Sequence, residues 1–231
     1  MNLDRELRDA GQMLKTVSYF SKLDEAALKL VARSAIPKVY EAGQVVLLEG
    51  EPCEGLHLVE SGWLKAVKIG PDGRELVLQM LRAGDVFNIV GVFTEAPNQA
   101  TVSALEASRV WVVRREVLLR LLDSNPALAR QVVADLAARV MHLVQTVEDL
   151  SLRPVEARLA RLLLEQAEGE TVSRRRWATQ AEMAARLGTV TDVLNRALRK
   201  LAEQGLIHVE RRRIQILDRG GLKCVAQIVE R

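Results

Sequence analysis

The stretch Pro126–Leu150, PALARQVVADLAARVMHLVQTVEDL, decides how the rest of the chain is organised. Its apolar residues recur at alternating spacings of four and three, the a/d pattern of a heptad seam. The seam consists of Ala129, Val133, Leu136, Val140, Leu143, Val147 and Leu150. Pro126 suits the first position of a helix, and Pro154 ends it. A core helix packed on its own domain would also be apolar on one face. The narrow, regular seam favours a partner helix, most simply the same helix of a second subunit related by a two-fold axis.

The composition bounds the class of protein. A chain of 231 residues, 48% hydrophobic and 27% charged, suits two small domains or one large one. No apolar run approaches the length of a membrane span, and Met1–Glu6 starts no signal peptide, so we expect a cytoplasmic protein without a membrane partner. Cys53 and Cys224 lie far apart in sequence and form no CxxC pair and no cluster, so a disulfide framework, a structural zinc site and an iron–sulfur site all lack ligands.

Residues 1–125 are predicted to form an antiparallel β-roll preceded by helical residues. The apolar spacing over residues 1–33 is helical, and Asp24 can cap a helix over Glu25–Arg33. From Ile36 onward, short runs of Val, Leu and Ile alternate with turn residues, including the hairpin signal Pro71-Asp72-Gly73. The predicted strands are Val45–Leu48, Leu56–Glu60, Trp63–Ile69, Glu75–Leu81, Ala100–Leu105 and Val110–Val113. Strands at this spacing favour a small barrel or jelly roll, which the helix Glu116–Leu122 joins to the long helix.

Residues 153–231 are predicted to form a second domain after the long helix, which spans 126–152. Pro154–Ala167 has the spacing of an amphipathic helix, and Val172–Trp177 is a basic, strand-like segment. Thr179–Glu182 and Thr189–Asp192 each fit a capping box that opens a short helix. Gly188 supplies the tight turn between these two helices, which is the pattern of a helix-turn-helix.

A hairpin follows the second short helix, which ends at Gly205. Ile207–Val209 and Ile214–Leu217 are its predicted strands, and Glu210–Arg213 is its tip, so the domain is predicted to be a winged helix-turn-helix. The whole chain is therefore predicted to be an α+β protein: a β-roll, a long dimerisation helix and a winged helix-turn-helix.

The outward face of the second short helix carries side chains of the kind that read base edges. The fork of Arg196 matches the acceptors of guanine. Asp192 either accepts from cytosine or is tied to the backbone of Thr189, and Asn195 either pairs with adenine or touches phosphate. Arginines at the wing tip suit phosphate contacts. The predicted DNA-binding residues are Thr179, Gln180, Thr191, Asp192, Asn195, Arg196, Arg199, Arg211, Arg212 and Arg213.

The charge distribution agrees with a polyanion partner at the C-terminal end. Residues 151–231 contain 16 Arg and Lys and 10 Asp and Glu, a net charge of +6, whereas residues 1–150 carry −3. An acidic N-terminal part followed by a basic C-terminal part favours double-stranded DNA as the partner.

The order of these parts along the chain resembles that of the cyclic-AMP receptor/fumarate–nitrate regulator (CRP/FNR) family. Its most specific motifs are Glu54–Gly62 (EGLHLVESG), Gly84–Phe87 (GDVF) and Glu182–Gly188 (EMAARLG) running on to Leu201. The resemblance covers nearly the whole chain. It implies a homodimeric transcription factor that reads an inverted repeat, with RNA polymerase as a further partner. Family members often have Arg where this chain has Thr191, so the usual half-site of the family is not expected to apply unchanged.

The same resemblance implies an effector other than cyclic AMP. In cyclic-AMP binders of the family, a Gly-Glu pair and an Arg-Ser pair hold the ribose and the phosphate, and this chain has Asn88-Ile89 and Gln99-Ala100 there. Leu143 and Val144 replace the helix hydroxyls that meet the base. Without a cation, the phosphate charge would stay unpaired. The predicted effector pocket comprises Leu78, Met80, Asn88, Ile89, Gln99, Ala100, Thr101, Leu143 and Val144, although these residues can equally fill the core.

The small number of histidines limits which cofactors and which alternative functions the sequence allows. Within the family, this chain most resembles the branch of dissimilative nitrate-respiration regulators, which includes haem-based sensors. The histidines that could bind haem are His57, His142 and His208. No cofactor is predicted, and haem stays an alternative. A jelly-roll metalloenzyme would need several ligands, but His57 is the single His in residues 1–125, so no enzyme is expected. A small-molecule- or haem-binding signalling module without DNA recognition is the alternative function, and the basic winged domain argues against it.

Overall fold

The computed structural model describes residues 10–227 except 12, 16, 18, 22, 174 and 176, so the predicted helical spacing over residues 1–9 lies outside the described residues. Its contacts divide the chain into two units. The N-terminal unit contains residues up to 68 and residues 78–141, and the C-terminal unit contains residues 69–77 and 142–231. The long helix therefore contributes to both units.

Two four-stranded antiparallel sheets form the β-roll. The strands are β1 (Ala35–Tyr40), β2 (Val45–Leu47), β3 (Gly55–Ser61), β4 (Trp63–Ile69), β5 (Glu75–Arg82), β6 (Val86–Phe87), β7 (Thr101–Ala104) and β8 (Ser108–Arg114). One sheet has the order β1-β8-β3-β6 and the other the order β2-β7-β4-β5. Buried apolar residues of both sheets, among them Val59, Leu64 and Val102, pack in one cluster between them. The predicted β-roll is thus confirmed.

Two strands that the sequence patterns did not predict, β1 and the two-residue β6, lie at the edges of one sheet. Strand β1 pairs with β8 from Ala35 opposite Val113 to Tyr40 opposite Ser108. Pro37 in its middle lowers the strand signal, because proline cannot donate to a sheet ladder. An edge strand has one free side, so it tolerates proline there. The hairpin signal at Pro71-Asp72-Gly73 is confirmed, since β4 and β5 are neighbours and Gly73 has a φ of +77°.

The helices of the N-terminal unit cover the β-roll at one side. They are α1 (Glu25–Ser34), α2 (Ile89–Thr94), α3 (Arg115–Ser124) and the first part of α4 (Pro126–Leu152). The predicted N-cap is confirmed, because the Asp24 carboxylate accepts from the Ala27 amide at 2.8 Å. Phe20, Leu118 and Leu128 are among the residues of the buried cluster beneath these helices.

The C-terminal unit holds a helical domain with a three-stranded sheet. Its elements after α4 are α5 (Val155–Gln166), β9 (Thr171–Ser173), α6 (Gln180–Arg186), α7 (Thr191–Glu203), β10 (Ile207–Val209), β11 (Arg213–Ile216) and α8 (Arg219–Val225). The sheet order is β10-β11-β9. Leu159, Leu194, Leu201 and Ile214 belong to one buried cluster that joins helices and sheet.

Two predicted boundaries in this domain are wrong. The strand predicted over Val172–Trp177 ends at Ser173, because the chain then turns: the Ala178 amide donates to the Arg175 carbonyl at 2.9 Å. The second wing strand begins at Arg213 rather than at Ile214, since Arg213 pairs with Ser173 of β9 and is held in the sheet by it.

Candidate nucleic-acid interface

The helix-turn-helix is built by α6, α7 and the turn between them. Thr179 caps α6 as predicted, because its hydroxyl accepts from the Glu182 amide at 3.1 Å. Gly188 has a φ of +60°, and the Thr189 amide donates back to the Ala184 carbonyl at 2.9 Å. A Cβ at Gly188 would lie 2.6 Å from Leu150 Cδ2, so the turn needs glycine both for its backbone angle and for space.

The second predicted capping box is wrong. Helix α7 begins at Thr191, its N-cap is Val190, and no side chain caps it. The backbone of Thr189 belongs to the turn, because its amide is bonded to Ala184, and this moves the start of the helix past the predicted cap position. Asp192 therefore lies in the first turn of α7 rather than at the third position of a box that opens at Thr189. Its carboxylate there is favourable for the positive end of the helix dipole.

The predicted reading face of α7 is exposed, whereas Leu194, Ala197, Leu198 and Leu201 are buried. Asp192, Arg196 and Arg199 are exposed, and Thr191 and Asn195 are half-buried. Among the described residues, no hydrogen bond or ion pair engages the side chains of Asp192, Asn195, Arg196 or Arg199. Charged side chains on a folded surface that are not committed to one another remain available for a partner.

A cleft of about 360 Å³ lies beside this face. It brings together three predicted DNA-binding residues from two elements: Gln180 of α6, and Asn195 and Arg199 of α7. Val209 of the wing strand β10 also lines it, a residue that no polar pattern could identify. Arg196 does not line this cleft, so base reading by Arg196 and contacts inside the cleft are separate hypotheses.

The wing tip carries fewer available arginines than predicted. Arg213 forms a two-pronged ion pair with Glu210, with both N···O distances at 2.9 Å. Hydrogen bonds from Arg213 hold the pKa of the half-buried Glu210 carboxyl below its ordinary value. Arg211 and Arg212, between them, are exposed. The structure thus separates Arg211 and Arg212, at the tip, from Arg213, whose guanidinium is already paired.

Among the residues predicted to line an effector pocket, Asn88 belongs to a polar cluster. Asn88 adopts a left-handed backbone with a φ of 65°, and its amide nitrogen lies 3.0 Å from Asn98 Oδ1, 3.4 Å from the Gly55 carbonyl and 3.3 Å from Cys53 Sγ. Asn98 is buried and donates to the Leu48 carbonyl at 3.1 Å. This polar cluster ties α2 to the loop before β3.

The remaining pocket residues have different surroundings. Ile89 is 1% exposed and packs in the core, as the alternative interpretation holds. Gln99 is exposed and donates to the Pro97 carbonyl at 2.8 Å. The half-buried members of the set are Leu78, Met80, Ala100 and Thr101. Leu143 and Val144 are 51% and 56% exposed and belong to the C-terminal unit.

A cation that the sequence patterns did not single out lies on α4. The Arg139 guanidinium donates to the Asp135 carboxylate at 2.6 Å and to the Val86 carbonyl at 2.8 Å, and its Nη1 lies 3.4 Å from Gln79 Oε1. The Tyr19 hydroxyl also donates to Asp135. Burial, together with this hydrogen bond, raises the pKa of Tyr19. Both prongs and Nε of Arg139 are thus used within the N-terminal unit.

The exposure of the heptad seam changes along α4. Ala129 is half-buried, and Leu136 packs against the core of the N-terminal unit. From Val140 onward the seam is open: Val140 is 58%, Leu143 51% and Val147 63% exposed. Val133 is also exposed, and Leu150, at the end of the seam, lies beside Gly188.

The histidines show one buried ring and no ligand cluster. His57 is buried, its Nδ1 lies 3.1 Å from the Gly55 carbonyl, and its Nε2 has no partner among the described residues. Burial lowers the pKa of His57 to about 4. Within the described ranges there is no group of three or more His, Cys, Asp or Glu side chains placed to hold a metal ion. Nor does any helix in the described part have the length and apolar character needed to cross a membrane.

Comparisons with known proteins place two families on the two parts of the chain. Residues 37–125 match the cyclic nucleotide-binding domain, and residues 157–225 match the Crp-like helix-turn-helix domain. The chain is 30% identical to the HTH-type transcriptional regulator Cmr of Mycobacterium tuberculosis, over 82% of this chain and 76% of that protein. It is 26% identical to the CRP-like cAMP-activated global transcriptional regulator of the same species, over 90% of this chain and 95% of that protein. FixK2 from Bradyrhizobium japonicum has a similar fold, with a TM-score of 0.73 at 23% identity, covering 85% of this chain and 99% of that one.

Proposed function

The chain belongs to the CRP/FNR family of transcriptional regulators, and we propose that it acts as a homodimer that binds an inverted repeat in DNA and responds to an effector other than cyclic AMP. The observation that carries this proposal is the polar face of α7 within a helix-turn-helix, where Asp192, Arg196 and Arg199 are exposed and have no partner among the described residues. RNA polymerase is proposed as a further partner on the family likeness alone.

Sequence reading is assigned to α7. A two-fold dimer presents two such helices about 34 Å apart, so the half-sites should be centred about one helical turn apart. Arg196 is exposed and unpaired among the described residues, and its planar fork fits the O6 and N7 acceptors of one guanine. Losing that contact should cost about 1–3 kcal/mol per half-site and relax the preference at one G·C pair.

The experiment is a binding-site selection on the parent, Arg196→Ala and the control Arg120→Ala. Arg120 is an exposed arginine of α3 in the N-terminal unit, so its loss changes net charge equally. We expect the parent and Arg120→Ala to select the same inverted repeat. Arg196→Ala should select a repeat with a weaker base preference at one position in each half-site. An unchanged motif for Arg196→Ala would show that α7 is not the reader.

Dimerisation is assigned to the open part of the α4 seam. Val140, Leu143 and Val147 expose apolar side chains in a heptad pattern, which a second copy of the helix would cover. Leu143→Lys should give a monomer by light scattering at micromolar concentration, because a lysine buried in the seam would carry an unpaired charge. Gln145→Lys, at an exposed position off the seam, should stay dimeric. A monomeric parent would refute the assignment.

Discrimination against cyclic AMP is supported by the groups where its phosphate and ribose would bind. Ile89 is an apolar core residue, Gln99 offers no charge, and Arg139, the cation from α4, is already bonded to Asp135 and Val86. Among these described residues, a phosphate would find no free cation to pair its charge. Calorimetric titration should show no cyclic AMP binding, and a micromolar dissociation constant would contradict the proposal. An absorbance scan with native mass spectrometry tests haem independently, since a Soret band would show a cofactor.

A further inference from the structure

Helix α7 is preceded by a residue that is poorly suited to its position. Val190 is the N-cap, and its backbone is extended, with a φ of −105° and a ψ of 158°. Its carbonyl accepts from the Val193 and Leu194 amides at 3.1 and 3.0 Å, so the residue is fixed to the first turn of the helix. Serine, threonine, aspartate and asparagine are preferred at an N-cap, because their side-chain oxygens accept from an amide of the first turn. Valine at this position therefore costs the helix one capping bond.

Burial does not compensate for the lost cap. The side chain of Val190 is 41% exposed, whereas Leu194 and Ala197 of the same helix are buried. A single exposed apolar side chain needs no explanation by itself. Here the exposed side chain also contradicts the capping rule, and it stands at the start of the helix whose outward face is proposed to read bases. A local rule that is broken in a functional element, without a gain in packing, indicates a functional role for the residue.

The group on DNA that suits this side chain is a methyl group. In a helix-turn-helix, the N-terminal residues of the second helix contact base edges in the major groove. Thymine is the base that presents a methyl group there, on C5, and apolar side chains contact it. The polar groups of the other base edges would lose water against a valine without gaining a hydrogen bond, so a valine disfavours them.

We propose that Val190 contacts the C5 methyl group of one thymine in each half-site and so helps to determine the sequence that the protein selects. This inference rests on the proposed DNA-binding function and adds to it a specificity-determining residue outside the predicted polar set. Arg196 lies six residues further along the chain, which corresponds to about 9 Å along a helix axis. The contacts of Val190 and Arg196 are therefore expected at different base pairs.

The test replaces single thymines of the selected duplex by deoxyuridine, which removes the C5 methyl group and leaves the hydrogen-bonding groups of the base in place. Affinity is measured by fluorescence anisotropy with the full chain. For the parent, we expect one thymine in each half-site at which deoxyuridine weakens binding about fourfold, the effect of removing one buried methyl group. Deoxyuridine outside the half-sites is the control on the DNA and should leave the affinity unchanged.

The variants at position 190 test whether the valine side chain makes this contact. Val190→Ala should bind the thymine and deoxyuridine duplexes about equally, whereas Val190→Ile, which keeps a branched apolar side chain, should keep the parental preference. Val190→Ser should lose the preference and yet raise the melting temperature of the C-terminal unit, because serine supplies the missing cap. Val39→Ala, which shortens an exposed valine of the N-terminal unit, is the matched control and should keep the preference.

A parent that binds the duplex but does not distinguish thymine from deoxyuridine at any position of the half-site would overturn the proposal. So would a preference for thymine that Val190→Ala and Val190→Ser retain, since another residue would then make the contact. A selected half-site without thymine would overturn it as well. All three results leave the proposed DNA-binding function standing, whereas a parent that binds no DNA would refute that function, and this inference with it.

Discussion

Acid should weaken the N-terminal unit through one buried histidine. His57 lies between the sheets of the β-roll with its ring 5.0 Å from that of Phe87, and the Gly55 carbonyl lies 3.1 Å from its Nδ1. Burial disfavours the charged ring, which lowers the pKa from 6.5 to about 4, and the nearby Lys38 acts in the same direction while the Gly55 carbonyl and Glu54 oppose it.

The size of the effect follows from linkage. The folded-state pKa is below the unfolded one, so the unfolded chain binds more protons between about pH 6.5 and pH 4, and stability rises with pH in that window. At about 1.4 kcal/mol per pKa unit, the contribution of His57 is about 3 kcal/mol. It is fully present above pH 6.5, falls as the pH drops through the window, and is lost below pH 4.

The assay is urea unfolding at steps from pH 7.5 to pH 4, followed by tryptophan fluorescence, to which Trp111, buried in the β-roll, contributes. The variant His57→Gln cannot titrate, and His142→Gln removes an exposed histidine as a control. Across this pH window, the free energy of unfolding of the parent and of His142→Gln should fall by about 3 kcal/mol more than that of His57→Gln. Parallel profiles for all three, or an NMR titration of His57 near pH 6.5, would refute the reasoning.

Three further substitutions test other parts of the structure by thermal or chemical unfolding. Gly188→Ala should destabilise the C-terminal unit by about 1–3 kcal/mol, because it strains a left-handed residue and crowds Leu150; an unchanged midpoint would show that the turn relaxes freely. Thr179→Ala should cost about 1 kcal/mol through loss of the α6 cap, and Thr179→Ser, which keeps the hydroxyl, should restore it. Tyr19→Phe should cost about 1 kcal/mol in the N-terminal unit through the lost hydrogen bond to Asp135, and a more stable variant would contradict that bond.

The elements that could be predicted are those with a strong local signal. The heptad spacing of Pro126–Leu150 predicts α4 to within two residues of its observed end at Leu152. Alternation predicts Trp63–Ile69 at its observed bounds, and the Asp24 and Thr179 caps follow from side-chain chemistry next to a helix start. These signals are local because they arise from backbone period and from hydrogen bonds three residues apart.

Tertiary structure decided which of the predicted side chains are available. Arg213 was indistinguishable by sequence from Arg211 and Arg212, yet its guanidinium is paired with the Glu210 carboxylate. In the sequence, Arg139 looks like any other charge on a helical surface. Only the packing of α4 beside Val86 shows that its guanidinium is bonded. Thr189 fitted a capping box, but its amide closes a turn with Ala184.

The sequence by itself determined the order of the parts, the family and the set of candidate side chains, because periodicity, turns and motifs depend on near neighbours along the chain. Pairing and burial depend on residues far apart in sequence, such as Ser173 and Arg213, which face each other across two strands. Only the folded chain brings such residues together, and so only the structure could separate committed charges from free ones.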